Sequence, residues 1–428
     1  MKPSIKMASV FALSALLSAC QNDEPQAENT PQASAVTVTQ VTLLAPTSGD
    51  LTIDTLATTE LPAVNGNRGG VSFSAPMGAA VQIQAPSQLD QSSSDQYWRT
   101  VSGAELNKGI MLAVSQNDSV IRVAPRGDAS SGALQHSPAI SPNQLRLYKI
   151  DKQSVDKSAS MIQSMSDPQA MATAGIVDDS SALRLSKQAT PGVYQLQVVQ
   201  PLGANDSYLV NVKEKGSPYQ LALSAPNRLS SQAPKLAFDL KLSNSDMALS
   251  PTATLKQSDG RYHRLAVVKQ GDNWQAQLPD ELAMPSSNLG LSEIQVDVET
   301  RVNGLPLIRT VKTAFKQYVP AAKLKDQASI YWQDSKPTQA IFDLKVASPG
   351  RYQISAVLVG TDALGKQANI LRAETAQWLD ADGQVSLSFD AEQLKASGLG
   401  APYAIKALEL KDQSQMARLS YLGEAASL

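Results

Sequence analysis

The sequence predicts a mainly β protein made of tandem β-sandwich domains, with one or two short helices in its N-terminal domain. Short runs of alternating apolar and polar residues recur along the chain, separated by Gly, Pro, Asn, Asp and Ser, which is the pattern of strands and turns. One series of such runs is repeated after about 100 residues. The 428 residues suffice for about three domains.

Charge and cysteine content narrow the functions that the chain can have. The 37 basic and 39 acidic residues give a net charge of −2, so electrostatics gives no reason to expect a nucleic-acid partner. One Cys cannot form a disulfide within the chain, and two His add few ligands for a metal site. We therefore expect no nucleic-acid partner and no cofactor.

The first 19 residues have the features of a secretory signal peptide. Two lysines precede an apolar run from Met7 to Ala19, which is shorter than the ~20 apolar residues of a membrane-spanning helix. The run ends in Leu17-Ser18-Ala19-Cys20, which resembles the lipobox of bacterial lipoproteins. That resemblance implies that Cys20 carries a lipid, and Gln21 in place of Asp implies the outer membrane. The alternative is a plain signal peptide that is cleaved after Ala19.

A tether and a β-rich domain are expected next. Residues 20–35 are polar and contain two prolines, so we expect a flexible link between the lipid and the first domain. Residues 36–216 are expected to form an N-terminal β-rich domain with a helical insert at about 154–175. Asp167, followed by proline, predicts a helix start there, and Gly175 predicts its end. The methionines of the insert favour a packed helix face over a soft-metal site; they are Met161, Met165 and Met171.

A tyrosine near the end of this domain occupies a distinctive position. Tyr194 follows Thr190-Pro191-Gly192-Val193 and precedes an alternating run, which looks like the tyrosine corner of immunoglobulin-like sandwiches. We expect its hydroxyl group to bond a nearby backbone group and to pin the crossing between two sheets.

The repeat predicts two further domains. Phe238–Leu242 (FDLKL) recurs as Phe342–Val346 (FDLKV), and similar strands and turns follow both copies in the same order. Two units of about 100 residues made of short strands indicate a pair of immunoglobulin-like β-sandwiches, at 217–319 and 320–428. Asn303-Gly304 lies between two alternating runs of the first unit, which predicts a tight β-hairpin.

The last unit also carries a resemblance. Residues 348–367 (SPGRYQISAVLVGTDALGKQ) and 397–412 (SGLGAPYAIKALELKD) are similar to a β-sandwich accessory module that is common in exported bacterial proteins. The whole chain resembles an uncharacterised family of exported bacterial proteins with tandem immunoglobulin-like domains. This resemblance implies a fold and a location, and it supplies no activity and no catalytic residues.

A search for catalytic motifs returns none. The chain has no H-E-x-x-H, no G-x-S-x-G and no P-loop, and His136 and His263 lie in different expected domains. The two carboxylates that cleave a glycosidic bond have no fixed spacing in the sequence, so the absence of a motif does not exclude glycoside hydrolysis. The densest acidic runs are Asp178-Asp179 and residues 380–383, and the second is interpreted as a turn rather than a calcium loop.

Two aromatic pairs are the candidate ligand-binding or interdomain residues. They are Tyr97-Trp98 and Tyr331-Trp332. Neighbouring side chains of a strand point to opposite faces, so one ring of each pair is expected to pack inward and the other to face solvent or a neighbouring domain. Exposed rings beside polar groups bind sugars or peptides. For the second pair, the simpler expectation is that its outer ring covers an interdomain joint near Pro320.

These observations predict a lipid-anchored cell-envelope protein, not an enzyme, that serves as a binding or scaffolding module. We expect an exported outer-membrane lipoprotein that faces the periplasm, with exposure at the cell surface as the alternative. Its expected partners are the membrane, through the N-terminal lipid, and another envelope protein or cell-wall glycan. The alternative function is a glycan-binding or glycan-active envelope protein with its site in the N-terminal domain. A third is an assembly factor or inhibitor for another exported protein.

Overall fold

The computed structural model describes residues 35–58, 68–128, 135–150, 155–156, 161–279 and 290–428. The expected signal peptide, Cys20 and nearly all of the expected tether lie outside these residues. The predicted fold class is confirmed, because the described chain is mainly β-strand, arranged in sheets with only short helices.

Three strands at the start of the described chain pair with strands of the middle and third sandwiches and not with the first. They are β1 (Thr37–Thr42), β2 (Val71–Pro76) and β3 (Leu89–Ser94). The first two pair with the third sandwich and the last pairs with the middle sandwich. The structure therefore differs from the expected domain of residues 36–216. These strands are short and largely exposed on both faces, so they extend the edges of existing sheets and cannot form a core of their own.

The first sandwich consists of residues 96–213. Its larger sheet has the order β11-β12-β6-β14-β4, and its smaller sheet has the order β10-β9-β13-β5. The strands are β4 (Gln96–Ser102), β5 (Ile110–Val114), β6 (Val120–Pro125), β7 (Gly127–Asp128), β8 (Gln135–His136), β9 (Leu145–Ile150), β10 (Val155–Asp156), β11 (Ile162–Ser166), β12 (Ser181–Leu185), β13 (Gly192–Val198) and β14 (Ser207–Lys213).

Two short helices belong to this sandwich, α1 (Gly103–Lys108) and α2 (Pro168–Thr173). The predicted start of α2 is confirmed, since the Asp167 side chain accepts a hydrogen bond from the Ala170 N–H at 2.8 Å. Within the described part of the expected insert, the α-helix is confined to α2, because β11 pairs with β12 and this pairing overrides the weak preferences of the Ser and Gln residues of β11.

The middle sandwich consists of β3 and residues 221–318. Its sheets have the orders β20-β21-β17-β15-β3 and β16-β23-β22-β18-β19, in which only the contact of β16 with β23 is parallel among the described pairs. The strands are β15 (Leu221–Pro226), β16 (Arg228–Ser230), β17 (Lys235–Leu242), β18 (Pro251–Lys256), β19 (Tyr262–Leu265), β20 (Val267–Gln270), β21 (Asn273–Gln277), β22 (Ser292–Val302) and β23 (Leu305–Tyr318).

The third sandwich consists of β1, β2 and residues 322–427. Its sheets have the orders β1-β24-β25-β28 and β2-β27-β26-β29-β30. The strands are β24 (Ala322–Gln333), β25 (Lys336–Val346), β26 (Gly350–Thr361), β27 (Gln367–Leu379), β28 (Gly383–Ser388), β29 (Gly400–Asp412) and β30 (Ala417–Ser427), and α3 (Ala391–Ser397) follows β28.

The predicted repeat is confirmed by the topology of the middle and third sandwiches. The two FDLK segments lie in β17 and β25, each flanked by the equivalent strands, β15 and β21 in one sandwich and β24 and β28 in the other. The predicted hairpin is also present, since Val302 pairs with Leu305 and both turn residues have positive φ, 53° at Asn303 and 80° at Gly304.

The N-terminal strap, which we define as residues 35–58 and 68–94, also covers one face of the third sandwich. Val357 and Tyr421 point away from its main core and form a second apolar cluster with Leu51, Met77 and Ile83 of the strap. The strand β26 is therefore buried on both faces along most of its length. This explains its continuous apolar run SAVLVG, which has no alternation.

The predicted tyrosine corner is present and occurs twice. The Tyr194 hydroxyl donates to the Thr190 carbonyl at 2.6 Å, as expected. The same spacing recurs in Ser348-Pro349-Gly350-Arg351-Tyr352, where the Tyr352 hydroxyl donates to the Ser348 carbonyl at 2.5 Å. In both sandwiches a tyrosine fixes the backbone four residues earlier, at the entry to a central strand.

Candidate functional site

The first and middle sandwiches meet at a joint formed mainly by β23. Ile308 of this strand packs against the core of the first sandwich. Its neighbour Arg309 is the largest side chain that is fully buried in the described chain. The joint is therefore more than a flexible link, because side chains of one sandwich complete the packing of the other.

Arg309 joins the two sandwiches through a buried ion pair. Its Nη2 lies 2.6 Å from Glu214 Oε2, and the two side chains are 1% and 0% exposed. Glu214 follows β14 of the first sandwich, and its Oε1 accepts the Ser115 N–H at 2.6 Å. We call Ser115, Glu214, Ser217 and Arg309 the joint cluster.

The remaining donors of Arg309 are also satisfied. Nη2 donates to Ser217 Oγ at 3.0 Å. Nε donates to the Tyr219 carbonyl and Nη1 donates to the Ile308 carbonyl, both at 2.8 Å. A buried ion pair is stable only when such additional bonds offset the loss of hydration. The joint cluster meets that condition, so it holds one orientation of the two sandwiches.

Trp98 lies beside the joint, on the outer face of the first sandwich. Its Nε1 donates to Gln295 Oε1 of β22 at 3.0 Å, and Lys312 Nζ lies 5.9 Å from the ring centroid. Gln295 in turn donates to Asp297 Oδ2 at 2.9 Å, which fixes the orientation of its amide. The ring is half-buried. Trp98 is thus an interdomain residue, one of the two roles expected for it.

An open cleft of about 460 Å³ begins at Trp98 and separates the outer faces of two sheets. Its wall on the first sandwich includes Gln96, Trp98, Arg99, Arg122, Arg126 and Asn211. Its wall on the middle sandwich includes Lys256, Tyr262, Glu293, Gln295 and Lys312. We refer to this space as the interdomain cleft.

The charges that line the cleft are strongly unbalanced. Lys312 pairs with Glu293 at 2.9 Å, and Arg122 pairs with Asp178 at 3.0 Å. Arg99, Arg126 and Lys256 have no such ion pair within the described chain, and all three are exposed. The cleft is therefore cationic although the whole chain is slightly acidic, and it offers guanidinium and ammonium groups to an anion.

Aromatic and neutral polar groups complete the lining. Tyr262 is 60% exposed, and Lys256 Nζ lies 5.8 Å from its ring centroid. Thr100, Asn211 and Thr254 add hydroxyl and amide groups. Such a surface can form many hydrogen bonds while an exposed ring supports a flat ligand face.

The other predicted aromatic residues have structural positions. Tyr97 is 1% exposed, and its hydroxyl donates to the Ala113 carbonyl at 3.0 Å in the core of the first sandwich. Burial raises the pKa of this hydroxyl far above its ordinary value. It is therefore a packed core residue, and Tyr97-Trp98 follows the expected alternation of inward and outward rings.

Tyr331 and Trp332 differ from the expectation. A β-bulge separates them, so both are half-buried and the alternation is interrupted. Trp332 lies 6.3 Å from the Tyr403 ring, and its Nε1 donates to Thr39 Oγ1 of β1 at 2.8 Å. The Trp332 ring packs against the core of the third sandwich, next to β1 of the N-terminal strap, so it is the inward ring of the pair. That an outer ring of this pair covers an interdomain joint stays a prediction.

The remaining sequence candidates are dispersed. His136 is exposed, and His263 Nε2 lies 3.0 Å from the Gln257 amide nitrogen in the middle sandwich. Asp380 and Asp382 accept hydrogen bonds from the Trp378 ring and the Val346 backbone, both at 2.8 Å, in the turn before β28. Within the residues that the structure describes, no three His, Cys, Asp or Glu side chains are placed to hold a metal ion.

Comparison with protein families identifies two parts of the chain. Residues 62–214 match the N-terminal domain of a family described as a domain of unknown function, DUF4785, and residues 321–426 match its C-terminal domain. The two ranges together cover more than half of the chain. The chain belongs to the DUF4785 family. The match to its N-terminal domain includes Trp98 and ends at Glu214. The matched residues therefore include one wall of the cleft and the carboxylate of the buried ion pair.

A solved structure has the same fold as this DUF4785 protein. It is the crystal structure, at 2.00 Å resolution, of a DUF4785 family protein from Legionella pneumophila subsp. pneumophila str. Philadelphia 1. The TM-score is 0.64 at 19% sequence identity, and the similarity covers 87% of this chain and 98% of the other. No curated protein matches the sequence. None of the helices in the described ranges has the length and hydrophobicity needed to cross a membrane.

Sequence reasoning missed the joint cluster, although a signal was present. Glu214 continues the inward positions of β14 after Val210 and Val212. Arg309 similarly lies between Leu307 and Val311, two core residues of β23. A charged residue at an inward position of an alternating strand requires a partner of opposite charge. Two such residues of opposite charge in one sequence therefore predict a buried ion pair between them.

Proposed function

We propose that this DUF4785 protein is a lipid-anchored protein of the cell envelope that binds an envelope partner, without catalysis, in the interdomain cleft. The observation that carries the proposal is the exposed cationic lining around Trp98, at a joint held by the buried pair of Arg309 and Glu214. A preorganised cleft loses little conformational freedom when it binds, which favours a recognition role.

The anchor is assigned to Cys20 by its lipobox sequence. In this proposal the third sandwich lies nearest the membrane along the chain, because β1 joins it first. Residues 21–34 span at most about 50 Å when extended. The cleft then lies between the first and middle sandwiches, which are farther from the anchor than the third, and it is accessible to other envelope components.

Cell fractionation tests the anchor. The wild-type chain is expected in the membrane fraction and to incorporate radiolabelled palmitate, whereas Cys20→Ser loses the label and becomes soluble in the periplasm. Gln21→Asp is expected to keep the label and to move the protein to the inner membrane. Unlabelled wild-type protein would contradict the anchor and would leave the cleft proposal standing.

Binding to isolated envelope material tests the role of the cleft. The purified full chain is expected to co-sediment with outer membrane and cell wall, and Arg99→Gln with Arg126→Gln is expected to reduce the bound fraction. Lys235→Gln with Lys241→Gln is the matched control, because it removes two exposed cations from β17, in the other sheet of the middle sandwich. Equal losses in both variants would contradict a specific cleft, and turnover of the polymer would contradict the absence of catalysis.

A second candidate function, glycan binding, has support from Trp98 and Tyr262. Both rings line the cleft, and Tyr262 is largely exposed. Tyr262→Ala is expected to lower retention on immobilised cell-wall glycan if a sugar packs against the ring. Unchanged retention would leave a protein partner as the better candidate.

A further inference from the structure

We propose that the interdomain cleft binds an acidic oligosaccharide, a chain of sugars that carries carboxylate groups. This inference rests on the proposed binding role of the cleft and names the class of its ligand. It combines three features of the described lining: cations that form no ion pair, neutral hydrogen-bonding groups and an exposed aromatic ring.

The unpaired cations call for a negatively charged ligand. Arg99 and Arg126 extend from the first sandwich and Lys256 extends from the middle sandwich, so positive charge reaches the cleft from both walls. The two acids nearest to Arg99 along the chain have partners of their own: Asp95 pairs with Lys213 at 2.6 Å, and the Glu105 carboxylate accepts the Ser102 N–H at 2.7 Å and caps α1. Among the described residues of the lining, the only acid is Glu293, which is neutralised by Lys312. Within the described lining, an anion therefore meets only a carboxylate that is already paired with a cation, and guanidinium groups bind carboxylates through paired hydrogen bonds.

The remaining lining favours a sugar over a peptide. Gln96, Thr100, Asn211 and Thr254 present amides and hydroxyls, which match the hydroxyl groups of a sugar. Leu209 is the only aliphatic side chain among the described residues of the lining, whereas peptide-binding grooves use apolar pockets for alternate side chains. The exposed ring of Tyr262, with Lys256 beside it, supports the flat face of a sugar and the charge attached to it.

Calorimetry on the full chain with three small probes tests the inference. The probes are tetragalacturonate, neutral maltotetraose and tetraglutamate, which separate the sugar from the charge. Tetragalacturonate is expected to bind at least ten-fold more tightly than either other probe, and its affinity is expected to fall steeply as salt is raised. Arg99→Gln with Arg126→Gln is expected to weaken binding about ten-fold, while Lys235→Gln with Lys241→Gln leaves it unchanged.

Each other result overturns the inference in a distinct way. Equal affinity for tetraglutamate would mean that the cleft selects an acidic peptide, and equal affinity for maltotetraose would mean that charge is not recognised. If no probe binds while co-sedimentation with the envelope still depends on Arg99 and Arg126, the ligand class is wrong and the proposed function stands. If these substitutions change neither measurement, both proposals fail. Circular dichroism of each variant verifies that it is folded.

Discussion

Arg309 Nη2 of the middle sandwich and Glu214 Oε2 of the first sandwich lie 2.6 Å apart at a site with almost no solvent exposure. This pair joins two domains, and Trp98 and Gln295 bond across the same joint at 3.0 Å. The orientation of the cleft walls thus depends on side chains from both sandwiches. A domain of the DUF4785 family therefore forms one part of a composite surface.

Breaking the joint cluster is expected to destabilise the protein strongly. Arg309→Met leaves Glu214 buried without a cation, which costs about 3–5 kcal/mol. In urea unfolding followed by fluorescence, the transition of the first and middle sandwiches should move to lower urea. Arg301→Met is the control, because Arg301 is exposed at the tip of the same hairpin.

The double variant Arg309→Met with Glu214→Gln separates the ion pair from the packing. Removing both charges should restore much of the lost stability, since no buried charge is left unpaired. A double variant as unstable as Arg309→Met alone would show that the stability depends on side-chain shape and not on charge.

The two tyrosine corners are expected to contribute equally to stability. Tyr194→Phe and Tyr352→Phe each remove a hydroxyl that bonds a backbone carbonyl, at 2.6 and 2.5 Å, and should cost about 1–2 kcal/mol. Thermal unfolding measures the loss. Tyr262→Phe serves as the control, since Tyr262 is 60% exposed, and a comparable loss there would contradict the assignment.

Glu409 predicts a pH dependence in the third sandwich. Burial acts to raise the pKa of this carboxyl, but its bonds with Arg418 and Lys411 outweigh burial and hold the pKa below the ordinary value of 4.5. A lowered pKa means that the pair stabilises the fold above pH 4.5, and that this stability is lost as pH falls through the folded-state value. Glu409→Gln should therefore be less stable than wild type at pH 7, by roughly 2 kcal/mol.

Denaturation between pH 7 and pH 3, followed through Trp332 and Trp378 of the third sandwich, measures this effect. The difference between wild type and Glu409→Gln should stay constant from pH 7 to about pH 4.5 and shrink below it. Glu424→Gln is the control, because the Glu424 side chain is 56% exposed and its pair with Lys406 lies at the surface. A difference that is constant with pH would contradict the assigned role of Glu409.

The N-terminal strap is expected to be part of the third sandwich in solution. Deleting residues 37–42 removes β1 and exposes the edge of β24 together with Trp332, so the variant should unfold earlier and aggregate. Deleting six residues within 21–34, the expected tether, is the control. Light scattering during heating distinguishes the two, and equal behaviour would contradict a structural role for β1.

Local signals in the sequence were sufficient for much of the fold. The Asn303-Gly304 turn and the Asp167 cap depend on neighbours within a few residues, and both are present in the structure. The FDLK repeat is read by comparing two short segments of the same chain, and it too is present. Tyr194 likewise bonds a residue four positions away. These features are encoded by short segments, which a single sequence reveals.

Long-range pairing was not accessible in the same way. β1 pairs with β24 across about two thirds of the chain, with Thr37 opposite Trp332, and no local pattern in β1 specifies this distant partner. The interdomain cleft also depends on contacts between distant parts of the chain, because Arg99 and Lys256 lie near each other only where two domains pack together. The continuous apolar run of β26 was the available sign that a further layer covers the third sandwich.

Photo-crosslinking in intact cells tests whether the interdomain cleft binds an envelope component. A photoreactive amino acid replaces Thr100, which is exposed in the cleft, or Ala237, which is exposed on β17 of the middle sandwich. Binding in the cleft predicts a defined adduct from position 100, reduced by Arg99→Gln with Arg126→Gln, and none from position 237. The same adduct from both positions, or one that is unaffected by the loss of these cations, would contradict it.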